Sequence, residues 1–254
     1  MTPLVTLAAV LGLAVGSFLN VVIYRVPREE SIVAPASHCP SCQVPIKHRH
    51  NVPVLSWVVL RGRCAGCSAP ISVRYPLVEA GTAALFAAVT LHFGISPQLP
   101  AYLYLAAIGV ALVMIDFDVR RLPDSIVLPS YVVGVLLLMP AGAVDGQWWP
   151  AQRALLGMAA LFVVFFTLGL VYPHGLSPDD AKLGGLLGLY LGWLSWSAVL
   201  VGLLGAFTLA VITALAARKK RPVLPIGACM VSAAVLAVFL AAPVTHWYGS
   251  LLTA

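Results

Sequence analysis

Apolar residues are gathered into long blocks along this chain. Eight such segments can be marked, at about 3–24, 77–95, 100–116, 126–144, 153–172, 182–195, 197–217 and 223–244. A helix that crosses a bilayer needs about 20 predominantly apolar residues, so the sixth segment is short for the task. Only one polar interruption is sizeable, roughly residues 25–75. The pattern predicts an all-α polytopic membrane protein with about eight transmembrane helices and one extramembrane loop domain. Two parts are expected: residues 1–95, with the first two spans and the loop, and residues 96–254, with six spans.

Composition sharpens this picture. The chain is 61% hydrophobic and 9% charged, with a mean hydropathy of +0.97. Soluble domains carry about 25% charged residues, which excludes that class. Nothing basic precedes the first apolar run, so no cleavable secretory signal is expected. Lys and Arg set the orientation, because they accumulate on the cytoplasmic side. Of the 15 basic residues, 14 fall in the odd gaps between spans or at a span start facing them; only Arg153 falls in an even gap. Both termini are therefore expected outside, and residues 25–75, Asp116 and Asp180 at the cytoplasmic face. The net charge of +6 is a topology signal. It does not indicate nucleic-acid binding, because the basic residues are scattered and no matching motif accompanies them.

The loop holds two Cys-x-x-Cys knuckles, Cys39 with Cys42 and Cys64 with Cys67, separated by 21 residues. Each knuckle puts two thiols on one tight turn, and two knuckles complete a tetrahedral four-thiolate zinc site. Disulfides are disfavoured in a reducing cytoplasmic loop. Four thiolates leave no position for water, so the metal's role is structural. His38, His48 and His50 read as solvated loop residues, and Cys229 as a small buried hydrophobe. His92, His174 and His246 form no ligand set. Gly16, Ser17 and Asn20 are expected to pack against or bond a neighbouring helix. Glu79 is placed in the first turn of the second span, where it would favour the helix dipole, although its nearness to the cytoplasmic face keeps a functional role open. Trp148, Trp149, Trp193 and Trp196 read as interfacial anchors.

Carboxylates at membrane helix ends are costly, and they concentrate at two places. Asp116 ends the third span at its deepest point, with Asp118 and Asp124 following. Asp179 and Asp180 open the sixth. Asp118 is expected to be a solvated or ion-paired neighbour, and Asp124 a cap on the fourth span. An N-cap accounts for one of Asp179 and Asp180, and Gly184, Gly185 and Gly188 allow close helix approach nearby. Physics alone leaves two uses open for Asp116 and Asp180: a catalytic pair that activates water, or an ion or proton pathway.

The motifs resemble those of the type IV prepilin peptidase family. The run GSFLNVVIYRVP at 16–27, the paired knuckles, Asn51-Val52-Pro53, Leu60-Arg61-Gly62, Arg74-Tyr75-Pro76 and Glu79 recur in that order in the family's N-terminal domain. Ile115-Asp116 with Leu122-Pro123-Asp124 resembles its first catalytic motif. The resemblance implies an aspartic endopeptidase of the bacterial inner membrane that uses Asp116 and Asp180. It would cut the short basic leader of prepilins or pseudopilins just after a Gly. It would then N-methylate the new terminus with S-adenosylmethionine; no glycine-rich nucleotide loop locates that donor. The second family motif, Gly-x-Gly-Asp with a Lys two residues on, appears here as Ser177, Pro178, Asp179, Asp180 and Lys182, without its glycines. Pro178 is expected to stiffen the turn and Asp179 to place a like charge beside Asp180. His50 stands where the family often has an acid. The departures keep a catalytically degenerate scaffold in view, and a transporter using the same carboxylates is the rival from another class. Oligomeric state is not fixed by any of these features.

Overall fold

The computed structural model describes residues 1–39, 41–46, 51–146, 148–172, 175–216 and 225–252. Lys47, His48, Arg49, His50, His174 and the basic run at 218–221 lie outside the described residues, as does the side chain of His246. The elements are helices: α1 (Thr2–Arg25), α2 (Leu55–Val59), α3 (Arg74–Phe93), α4 (Leu99–Val119), α5 (Asp124–Asp145), α6 (Trp149–Val171), α7 (Pro178–Leu194), α8 (Trp196–Ala216) and α9 (Ile226–Leu252). Every apolar segment of the sequence has become a helix, and α2 is an additional short turn inside the loop. Among the described residues, seven helices are long and apolar enough to cross a membrane. The sixth span begins earlier than its apolar run, at Pro178, and α7 has 17 residues, about 25 Å at 1.5 Å per residue.

The chain divides into two compact units, Met1–Gly94 and Ile95–Ala254. In the first, α1 and α3 run antiparallel with small residues in the seam. A Cβ added to Gly12 would stand 2.7 Å from Ala83 Cα, and one on Gly16 would stand 2.7 Å from Glu79 Cα. Asn20 Nδ2 donates to the Tyr75 carbonyl at 3.2 Å. Without a hydrophobic driving force between helices in lipid, such backbone approach is what holds them together. The Gly16 and Asn20 expectation is met. At the end of α1, Arg25 is buried and donates to the carbonyls of Ser31 and Pro35, which folds the start of the loop back on the helix.

In the second unit α7 is the central element, packed on α5, α6, α8 and α9. Leu183, Leu186, Leu189 and Tyr190 are fully buried. Its contact with α6 is backbone on backbone, because a Cβ on Gly192 would stand 2.6 Å from the Arg153 carbonyl oxygen and one on Gly157 2.7 Å from that of Gly188. Arg153, the one basic residue that broke the charge asymmetry, has a structural task. Its Nε donates to the Gly192 carbonyl at 2.6 Å and its Nη2 to Leu194 at 2.7 Å. A guanidinium there satisfies the orphan carbonyls at the C-terminus of α7 and complements the helix dipole. Trp193 corrects an expectation. It is buried and donates to Gln98 at 2.8 Å, so it packs the interior, whereas Trp148, Trp149 and Trp196 are exposed as interfacial anchors should be.

Candidate functional site

The two cysteine knuckles are copies of one turn. Cys39 N–H donates to Val44 and Gln43 N–H back to Cys39; Cys64 N–H donates to Ala69 and Ser68 N–H back to Cys64. Gln43 and Ser68 share a positive φ, 58° and 59°. Bridges His38 with Pro45 and Arg63 with Pro70 close each turn. The four Sγ atoms of Cys39, Cys42, Cys64 and Cys67 lie within 4.8 Å of one another, and all four are free thiols. Cys39 and Cys67 Sγ are 3.8 Å apart. A tetrahedron with metal–sulfur bonds of about 2.3 Å has edges of about 3.8 Å, so this donor set fits a zinc ion. Backbone N–H groups of Cys42 and Ser41 hold the Cys39 thiol down at about 6, and those of Cys67 and Gly66 lower Cys64. The Ala69 N–H pulls Cys67 down too, but the adjacent thiols and burial push it up to about 11. His38 bonds the Ala36 carbonyl and does not join the cluster.

Glu79 lies in the second turn of α3, since the helix begins at Arg74 and has no acid in its first turn. The dipole explanation is thereby corrected. The carboxylate is 8% exposed and its Oε2 accepts from Val54 N–H at 2.7 Å. Val54 has φ 59°, a conformation that costs a β-branched residue about 1–3 kcal/mol. The charge-assisted bond to Glu79 offsets that cost and satisfies the buried acid. Gly62 explains its place in Leu60-Arg61-Gly62. Its φ is +66°, and a Cβ would meet the Trp57 ring at 2.8 Å.

Asp116 and Asp180 are 5% and 6% exposed, and Asp180 is within Coulombic reach of Asp116. Each has one oxygen tied to a helix N-terminus. Asp116 Oδ2 accepts from Ala228 N–H at 2.7 Å. Ala228 is in the first turn of α9, where the initial helical bond runs from Cys229 N–H to Pro225, so its N–H has no acceptor within the helix. The carboxylate of Asp116 supplies it, on the positive end of the dipole. Asp180 Oδ2 accepts from Ser177 N–H at 2.7 Å and Ser177 Oγ at 2.9 Å, while Asp180 N–H donates to Ser177 Oγ at 3.3 Å. This is a capping box at the start of α7, readable as Ser-x-x-Asp but passed over in the sequence. The N-cap is thus Ser177, and neither Asp179 nor Asp180 takes that position.

The remaining acids correct one expectation. Asp124 does not cap α5; that helix has Pro123 at its N-cap and no side-chain cap bond. Lys182 Nζ instead reaches both Asp124 oxygens at 2.8 Å and Asp179 Oδ1 at 3.0 Å. The like charge expected beside Asp180 is present, since Asp179 acts on it through space, while Lys182 pairs with Asp179 and ties the start of α5 to the start of α7. Asp118 is exposed, as expected.

Residues 10–93 match the model of the bacterial peptidase A24 N-terminal domain, and residues 103–216 that of the type IV leader peptidase family. A prepilin leader peptidase/N-methyltransferase of Neisseria gonorrhoeae is 38% identical over 82% of this chain and 82% of its own length. One from Myxococcus xanthus is 43% identical over 76% of this chain and 57% of its own. One from Aeromonas hydrophila is 34% identical over 96% and 93%. No solved structure matches the chain.

Proposed function

The chain belongs to the type IV leader peptidase family, and from that premise we propose that it is a membrane aspartic endopeptidase that removes the leader of prepilins or pseudopilins. The observation that carries this reading is the pair of buried carboxylates, Asp116 and Asp180. Each is held at one oxygen by helix N-terminal donors, leaving its other oxygen for a water. One shared proton suits two such acids. The ionised carboxylate takes a proton from the water as its oxygen bonds to the scissile carbonyl carbon. The protonated partner gives its proton to the carbonyl oxygen. Collapse of the tetrahedral intermediate breaks the C–N bond, and the leaving amine takes the proton that the first carboxylate had removed from water.

In this reading the bond cut follows a Gly, the leader is short and basic, and the site faces the cytoplasm of the inner membrane, on the side of the basic gaps. Cys39, Cys42, Cys64 and Cys67 hold a structural zinc that folds the loop. Both acids stand at helix ends, which suits a peptide arriving from the membrane surface better than an ion crossing at mid-bilayer. The Lys182 bridge to Asp179 supports retained activity over a degenerate scaffold, since it gives the acid that replaces a family glycine a cation partner. The enzyme would also N-methylate the product, with S-adenosylmethionine as donor. The apolar cavity between α6, α7, α8 and α9, lined by Leu161, Phe165, Leu187 and Met230 among others, offers no charged or polar side chain and does not fit that donor. The test is reconstitution in vesicles with S-adenosylmethionine and a prepilin carrying its leader. Mass spectrometry should show loss of the leader and a mass gain of one methyl group. An unprocessed substrate after full incubation with folded enzyme would remove the peptidase reading.

A further inference from the structure

The short helix α2 has side chains unsuited to water. Leu55 is 59% exposed, Val58 58% and Val59 70%, although Trp57 turns inward and donates to Ile71. The register of α1 on α3 shows where this apolar turn sits. Gly94 faces Met1, Ala83 faces Gly12, Glu79 faces Gly16 and Tyr75 bonds Asn20, so depth can be counted along either helix. The 20 residues of α3 span about 30 Å, the thickness of the apolar layer. Laid straight across that layer, α3 would put Glu79, five residues in from Arg74, about 7.5 Å inside its edge. Val54 N–H is bonded to Glu79. The chain thus dips back along α3 before α2 begins, and α2 leaves from a level beside the span. A buried acid at that depth and a positive-φ valine explain each other, since the turn brings Glu79 the donor it needs. Arg61 and Arg63, just beyond α2, are exposed and carry the charge that lipid phosphates attract.

We propose that residues 52–59 form a re-entrant turn whose apolar face, Leu55, Val58 and Val59, lies in the leaflet on the loop's side, with Arg61 and Arg63 on the phosphate groups of anionic lipids. The occupant of this face is the bilayer itself, and the loop is fastened to its own membrane at a second place besides the ends of α1 and α3.

The test is site-directed spin labelling of the full chain in nanodiscs containing phosphatidylethanolamine and phosphatidylglycerol. The label goes on p-acetylphenylalanine, because four of the five native thiols belong to the knuckles. Collisions with oxygen should exceed those with a water-soluble nickel chelate at 58 and 59, and the order should reverse at Ala65, which is exposed on a knuckle. Nickel accessibility at 58 and 59 equal to that at Ala65 would overturn the proposal. Low accessibility to both reagents would overturn it as well, because it would mean that protein covers the face. In discs of phosphatidylcholine alone the oxygen-to-nickel ratio should fall at least twofold, as it should in the Arg61→Gln, Arg63→Gln variant with phosphatidylglycerol present. No change in either would remove the arginine–phosphate contact from the proposal.

Discussion

The thiol cluster and the carboxylate pair are both assembled from two separate stretches of chain, but they are held in different ways. In the cluster, each half positions itself. Cys39 and Cys64 head identical turns, closed by hydrogen bonds that reach nine residues at most. In the pair, only Asp180 is held locally, by Ser177 three residues before it. Asp116 is held by Ala228, 112 residues away. A site of the first kind needs only its own turns and a metal to draw them together. A site of the second kind depends on the packing of α4 against α9.

The largest effect that separates the two sites concerns the acids themselves. Asp116→Asn and Asp180→Asn should each lower leader cleavage by roughly 10²–10⁴-fold or more, since an amide cannot take a proton from water. Asp118→Asn should stay near wild type. Cleavage that survives both substitutions in folded protein would end the aspartic mechanism. The cluster should respond differently. Metal analysis of the purified protein should find about one zinc per chain, and Cys39→Ser or Cys64→Ser should lose it. Proteolysis between residues 30 and 75 should then quicken. Full zinc content in both variants would dismiss this ligand set.

Two substitutions compare the holding of the acids directly. Ala228→Pro deletes a single first-turn N–H, at a position where a helix tolerates proline. A hydrogen bond to a charged group is worth about 1.5–3 kcal/mol, so cleavage should fall roughly tenfold or more with little change in thermal stability. Ser177→Ala removes one of two donors and leaves the backbone N–H, so the loss should be only a few-fold. Equal losses would show that the local and the long-range anchors matter alike. Smallest of all is Asp179→Gly. It breaks a half-exposed ion pair, worth about 0–1 kcal/mol, and should leave cleavage within about twofold. A dead Asp179→Gly beside an active Asp180→Asn would transfer the second acid to Asp179.

How much of this was legible depends on distance along the chain. The capping box could have been read, because Ser177 and Asp180 are three residues apart and helix geometry fixes what such residues do. The task of Asp124 was misread for the opposite reason. Its partner Lys182 is 58 residues away, and a lone acid before an apolar run looks the same whether it caps a helix or pairs with a cation. Trp193 was misread likewise, since hydropathy does not say which aromatic residues at a helix end turn inward.

Hydropathy and the spacing of cysteines by themselves determined that the chain is a bundle of membrane helices with a loop whose four thiols suit a metal. Both depend on short-range physics: about 20 apolar residues satisfy the bilayer as one helix, and two thiols on a turn form half a tetrahedron. Only the tertiary structure decided that Asp116 rests on the first turn of α9, that Arg153 closes α7, and that Glu79 draws Val54 down beside α3. In each case a charged group needs a backbone partner where water is scarce, and which backbone comes within reach is set by how the glycine-lined helices pack.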